Sequence, residues 1–429
     1  PQECLDEGCG FSNNPFKTIS RTFEMINPTE DNPITIHLAA GTYSPESGES
    51  FPINMISNVN IEGEDEETTI LDAMQTGRVL EISSEGSINF LNFTITGGYT
   101  DELISEAGTC YLNNCYGGGV IMSFSKSKFR NVSINNNFAP TGAGIALIQS
   151  QVQFINCTIN QNTATFAGGG VYSYITDIFF IKSTINENTS AGRGGGMQAE
   201  SSSLLLTDMI INNNSSEEFG GGLFLINNDA SHFKNINIHN NISNFGGGMV
   251  YVNSTDYQTM LFENVTITEN LAYTVAGGVW SETFGAKAQF MNSIIWNNTP
   301  TSFYFFPGYL NPIINFSNID STGDGQNEIL YNILLEGDGN ISIDPHLIGP
   351  IDGEYILQDD SPSIGSGNPN LWFQNLDGSP ADMGATGGLF VMPNSNNYNF
   401  GEVGNLGAST FLTIFNFRDF PIIINNVSF

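Results

Sequence analysis

The sequence predicts an all-β solenoid: a stack of parallel coils of about 26 residues, three short strands to a coil, with a cap at its N-terminal end. Three columns of residues predict it. Glycine triplets or near-triplets return at Gly117-Gly118-Gly119, Gly142-Ala143-Gly144, Gly168-Gly169-Gly170, Gly194-Gly195-Gly196, Gly220-Gly221-Gly222, Gly246-Gly247-Gly248 and Ala276-Gly277-Gly278. Phenylalanine two residues ahead of asparagine accompanies them at Phe129/Asn131, Phe154/Asn156, Phe233/Asn235, Phe262/Asn264 and Phe290/Asn292. Phe180 and Leu206 keep the apolar position, with Lys182 and Asp208 in place of the asparagine. A further asparagine then recurs at Asn137, Asn162, Asn188, Asn214, Asn241, Asn270 and Asn298.

A fixed period means units that bury their apolar faces only against a neighbour. Between the columns the residues are β-branched, aromatic, Ser, Thr and Asn. Apolar residues alternate at Val152/Phe154 and Ile178/Phe180, and helix formers are scarce, so the units are strands. Parallel strands of successive coils lie about 4.8 Å apart, which sets each column above its copy. Stacked asparagine amides then bond from coil to coil and also tolerate left-handed corners. Glycine at the other corner supplies positive φ or room for close backbone approach. The alternation slips phase between Phe154 and Ile159, placing a corner near Asn156-Cys157.

In chain order, residues 1–33 read as the cap, with Asn14-Pro15-Phe16-Lys17-Thr18-Ile19-Ser20 entering a short amphipathic helix that runs to about Met25. Residues 34–390 form the solenoid. Its first strands fall at Ile34-Thr35-Ile36-His37-Leu38, Phe51-Pro52-Ile53-Asn54, Val59-Asn60-Ile61-Glu62-Gly63 and Thr69-Ile70-Leu71-Asp72. An acidic insertion between Tyr99 and Cys110 interrupts the period, and the connections at 253–259, 282–287 and 303–309 are lengthened. Residues 391–429 read as a linker and a few strands.

The phrase F-x-N-x-(T/S)-I-x-x-N followed by a glycine triplet resembles the repeat of polymorphic outer-membrane proteins. These belong to the right-handed parallel β-helix group that also contains pectate-lyase-like enzymes. The resemblance covers roughly residues 85 to 300 and implies a right-handed parallel β-helix, not an activity. Ala39-Ala40-Gly41-Thr42-Tyr43 with the strands around it resembles the first rungs of secreted bacterial β-helices. Ile343-Asp344-Pro345-His346-Leu347 through Asp382-Met383-Gly384 resembles the segment that closes them. Asn399-Phe400-Gly401 through Ile422-Ile423-Ile424 resembles the opening strands of an immunoglobulin-like module, of which some 30 residues are present where about 100 are needed. The resemblance implies secretion or display on a cell surface, with any signal peptide removed ahead of Pro1.

Forty-four acidic residues face 11 Lys and Arg, a formal charge of −33. That disfavours a nucleic-acid partner, whose phosphates need clustered cations. No apolar run is long enough to span a bilayer. Cys4/Cys9 and Cys110/Cys115 flank two short loops and are candidate local disulfides, free thiols being the other reading, and Cys157 is left over.

Four groups of residues carry candidate chemistry. Lys126, Lys128 and Arg130 alternate on one strand, with Phe129 inward. They are the candidate catalytic cations if the chain were a polysaccharide lyase acting on an acidic glycan; a solvated strand face is the other account. Asp320, Asp324 and Glu328 alternate around a glycine turn as Ca2+ ligands do, although Tyr331 at the twelfth position excludes an EF-hand. Asp359-Asp360 precedes Ser361-Pro362 and reads as a turn, not as a glycosidase pair. If Val120, Ile145, Val171, Met197, Leu223, Met249 and Val279 point inward, then Ile121, Ala146, Tyr172, Gln198, Phe224, Val250 and Trp280 form an outward apolar stripe. Tyr172, Phe224, Trp280, Tyr257, Phe284 and Tyr304 are its candidate ligand-binding residues, unless the long insertions fold over them. The reading is a non-catalytic adhesin or ligand-binding rod with a glycan or protein ligand at the cell surface. A lyase and a passive spacer or secretion cargo are the alternatives.

Overall fold

The computed structural model describes residues 10–11, 14–83, 86–101, 115–228, 231–253, 259–283, 288–306, 310–321, 336–370, 373–375, 379–385 and, for backbone alone, 391–393 and 414–416. It is a right-handed parallel β-solenoid. Three parallel sheets of seventeen, ten and six strands run along it. One coil shows the plan: Val171–Tyr174 lies in the ten-stranded sheet, Asp177–Ile181 and Thr184–Asn186 in the seventeen-stranded sheet, and Thr189–Ser190 in the six-stranded sheet. The expected three strands per coil are thus four segments. The largest sheet is creased where Lys182 takes a left-handed φ of 49°.

The crease is where the alternation slips. Asn92, Asn131, Asn156, Lys182, Asp208, Asn235, Asn264 and Asn292 all have φ between 49° and 57° there. Asparagine tolerates that region best, which explains its recurrence. The second asparagine column does different work. Asn137, Asn162, Asn188, Asn214, Asn241, Asn270 and Asn298 are buried, and the left-handed residue is the one before each. Asn162 Nδ2 donates to Asn188 Oδ1 at 2.9 Å and to the Ile134 carbonyl at 2.9 Å. Asn188 repeats both bonds one coil on, to Asn214 Oδ1 at 3.0 Å and Ile159 O at 2.9 Å. The ladder continues unbroken to Asn298.

The glycine corner exists because of this ladder. A Cβ on Gly170 would stand 2.7 Å from the Gly196 carbonyl and 2.9 Å from Asn188 Nδ2. Gly144 and Gly196 stand in the same relation to Asn162 and Asn214. The first glycine of each triplet is there for its dihedral: Gly168 has φ +61°.

Inside, like residues pile up in register. Phe90, Phe129, Phe154 and Phe180 stack at centroid separations of 4.6, 5.1 and 4.4 Å. Leu206 interrupts the file, and Phe233, Phe262 and Phe290 resume it at 4.5 and 4.6 Å. Each such pair contributes about 0.5–1.5 kcal/mol beyond burial. The N-terminal end is closed by the helix Ile19–Met25, whose Ile19 is buried in the core. Thr18 caps it, and the Glu49 carboxylate accepts from the backbone of Ile19 at 2.6 Å and Ser20 at 3.2 Å, an anion at the positive end of the helix.

The closing segment does more than seal the far end. Ile341 makes a last parallel bridge to Asn318. The antiparallel hairpin Leu347–Ile351/Glu354–Leu357 then returns along the outside of the creased sheet as a strap. His239 Nε2 donates to the Gly353 carbonyl at 2.7 Å, Tyr355 Oη donates to Glu269 at 2.6 Å, and Ala385 N donates to Thr266 Oγ1 at 2.9 Å. Val391–Pro393 pairs antiparallel with Ile414–Asn416. The rest of the immunoglobulin-like resemblance lies outside the described residues.

Candidate functional site

The outward stripe of the ten-stranded sheet is a true column. Ile121, Ala146, Tyr172, Gln198, Phe224, Val250, Trp280 and Tyr304 are register partners, coil on coil. The residues that precede them, Val120 to Val279, are buried inward. Most of the stripe is nevertheless buried: Ile121, Ala146, Gln198, Phe224, Val250 and Trp280 are all at most 8% exposed, and only Tyr172 and Tyr304 are half-buried. A second outward column, the residue before each glycine triplet, contributes the cover. Phe219 and Phe245 stack at 5.0 Å and meet the Trp280 ring edge-on at 5.6 and 5.2 Å. Tyr304 and Phe306 approach its other sides at 5.3 and 6.4 Å. Arg193 lies over Phe224 at 5.5 Å and Phe219 at 5.8 Å, held by Glu218 at 3.4 Å. The buried indole Nε1 of Trp280 has no hydrogen-bond partner among the described residues.

Toward the N-terminal end only Tyr172 of the column is partly open. Tyr172 is half-buried and packs on Tyr116 at 5.7 Å; burial first, then Tyr116 and Glu200, pushes its hydroxyl above the usual range. Tyr304 is half-buried as well. Tyr257 and Phe284 lie outside the described residues, as do most of the insertions expected to cover the stripe. Sequence reasoning missed the pre-glycine column, although aromatic residues at Tyr116, Phe219 and Phe245 carry its signal.

The cationic row sits on the creased sheet. Lys126 and Arg130 are exposed and Lys128 is half-buried, with Phe129 inward. Their register neighbours are Ser87, Asn89 and Leu91 on one side and Gln151, Gln153 and Ile155 on the other. No carboxylate adjoins them in register; Asp177 stands two coils from Lys126.

The same sheet brings together a cluster that sequence reasoning did not foresee. Lys234 and Glu263 face outward yet are buried, with His232 half-buried beside them: Lys234 Nζ donates to Glu263 Oε1 at 2.7 Å, and His232 Nε2 lies 3.2 Å from Oε2. Burial alone would raise the Glu263 carboxyl; the bond from His232 and the charge of Lys234 overcome it and bring it down to about 2. At the crease nearby, burial pushes Asp208 up to about 6, against a hydrogen bond from Asn235 and the charge of Lys182, and with repulsion from Glu354 of the strap. These contacts pair charged and polar groups on the creased sheet with one another.

Asp320 is described, whereas Asp324 and Glu328 are not; among the described residues no three His, Cys, Asp or Glu are grouped to hold a metal ion. Cys115 is disulfide-bonded, while Cys4, Cys9 and Cys110 lie outside the described residues. Cys157 is free and buried, its thiol pushed up to about 12 by that burial. Asp359-Asp360 is a turn, with Asp360 Oδ1 3.1 Å from His346 Nδ1. No helix among the described residues is long and apolar enough to cross a membrane.

These features define a β-solenoid rod with a largely covered outward apolar column on its ten-stranded sheet. A family model described as a protein of unknown function (DUF1565) matches residues 5–214, slightly under half of the chain. No curated protein matches it in sequence. Among solved structures it is similar to the crystal structure of pectate lyase Pel9A, with a TM-score of 0.47 and 12% identity over 87% of this chain and 91% of that one. That likeness concerns the path of the chain, not the residues of a site.

Proposed function

We propose that this chain is a secreted or surface-displayed rod without catalytic activity that binds a neutral carbohydrate ligand on the outer face of its ten-stranded sheet. The observation that carries the reading is the pair of half-exposed rings, Tyr172 and Tyr304, in an outward column whose other members from Ile121 to Trp280 are buried. Rings such as Tyr172 and Tyr304 offer flat faces to the C–H side of a sugar. A formal charge of −33 disfavours a polyanionic ligand at long range. The disulfide at Cys115 supports an oxidising compartment.

A glycan array on the full chain, with Tyr172→Ala and Tyr304→Ala as paired variants, tests it. Neutral glycans should bind and both variants should weaken them about tenfold, the scale of one lost aromatic contact of 1.4 kcal/mol. A uronate-absorbance assay with and without calcium runs alongside, because a rising unsaturated-uronate signal would replace the binding rod with a lyase.

A further inference from the structure

We infer that a notch at the corner between the ten-stranded and creased sheets is a second binding site, a subsite for one neutral sugar residue. It rests on the carbohydrate-binding reading above but uses a different face. The notch arises from side-chain size. Down the corner the register columns run Ile175, Ser201, Asn227 and Gln151, Asp177, Ser203, so that bulky residues in one coil give way to serines in the next. The step leaves an open notch of about 280 Å³ whose lining includes Ile175, Asp177, Ser201, Ser203 and Asn227. That is just under the ~300 Å³ of the smallest pockets for drug-sized ligands, room for one ring and not a chain.

Its lining has the chemistry of a polyol site. Ser201 and Ser203 carry hydroxyls that both donate and accept, Asn227 carries an amide, and the exposed Asp177 carboxylate accepts from a pair of neighbouring hydroxyls. No cation lines the cavity, so an anionic sugar would meet Asp177 without compensation. Apolar surface flanks it on both sides. Ile175 is 45% exposed and Tyr174, on the ten-stranded sheet beside it, 37%. Phe179 points outward two residues beyond Asp177 on the creased sheet. A ring seated in the notch thus has hydroxyl partners below and C–H partners at the rims.

Isothermal titration of the full chain with methyl glycosides of glucose, galactose and mannose, and with methyl glucuronide, tests the subsite. At least one neutral glycoside should bind with Kd near 1 mM and the glucuronide at least tenfold more weakly. Asp177→Ala should cost about tenfold, the loss of a charge-assisted hydrogen bond. Ser203→Phe should abolish binding by filling the notch from an exposed position, with an unchanged thermal midpoint as the fold control. Binding that survives both substitutions, a glucuronide that binds as well as the neutral sugars, or no monosaccharide binding at all overturns the subsite. Binding lost in Tyr304→Ala but kept in Ser203→Phe assigns the sugar to the aromatic face, so the two readings fail separately.

Discussion

Asn188 shows how a single position answers to two columns at once. Its amide donates to Asn214 Oδ1 and Ile159 O while its own Oδ1 accepts from Asn162 N at 3.1 Å and Nδ2 at 2.9 Å. Asn188→Ala leaves buried donors and an acceptor without partners, at about 1–3 kcal/mol each, so a loss of roughly 3–5 kcal/mol is expected in urea denaturation. Gly170→Ala should cost a similar amount, because its Cβ presses on the same amide and on the Gly196 carbonyl. The double variant should then lose less than the sum, since the alanine methyl finds room where Asn188 was. An additive result would separate the two columns that the geometry joins. Cys157 tests the crease: its N–H donates to Ser183 Oγ at 3.1 Å and its own Sγ lies 3.4 Å from Ile155 O, as Ser183 Oγ bonds Ile181 O at 2.9 Å. Cys157→Ser should shift stability by no more than about 1 kcal/mol, and the wild-type thiol should react with a thiol reagent only on unfolding. Both asparagine columns and the glycine corner were legible in the sequence because repetition makes them visible. The division of labour between the two asparagine columns was not, since composition cannot tell an amide that tolerates a left-handed corner from one that bridges coils. Nor was the cover over Trp280: only Tyr116, Phe219 and Phe245 mark that column, and the positions between hold Thr141, Ala167 and Arg193.

At the scale of elements, two carboxylates on the creased sheet set the pH response. Glu263, brought down from 4.5 to about 2, contributes stability that is present above pH 4.5 and lost as pH falls through about 2. Asp208, raised from 3.8 to about 6, works in the other sense: its contribution is full below pH 3.8 and lost as pH rises through about 6. From these two groups the thermal midpoint should climb between pH 2 and 4.5 and sag between pH 4 and 6. Asp208→Asn should remove the sag, and a sag of unchanged depth in that variant would refute the assignment. Glu263→Gln leaves Lys234 buried without its counter-charge and should cost about 3–5 kcal/mol near pH 7. None of this was legible beforehand, for a physical reason. Lys234 and Glu263 occupy outward strand positions that solvent ordinarily covers. The chain that returns over this face, held through Gly353, Tyr355 and Ala385, does not repeat, so no periodicity announces where it docks.

For the whole molecule the decisive property is that every coil rests only on its neighbours, so stability is nearly a sum over coils and their contacts. The coil is therefore the unit that can be removed. Asn162 and Asn188 are ladder partners 26 residues apart. Deleting residues 163–188 joins Asn162 to Thr189 and sets Asn162 under Asn214, keeping the ladder, the phenylalanine file and the glycine corner aligned. This variant should keep its strand signal in far-UV circular dichroism and melt in one transition within a few degrees of the parent. It should also weaken sugar binding at the notch about tenfold, because Asp177 goes with the deleted coil. Removing half as many residues, 163–175, sets strands over corners and turns inward residues outward, since a strand slipped by one position exposes its buried face. That variant should aggregate or melt without cooperativity. If the two deletions behave alike, the coils are not interchangeable units, and the aromatic face loses its basis as a regular platform along the rod.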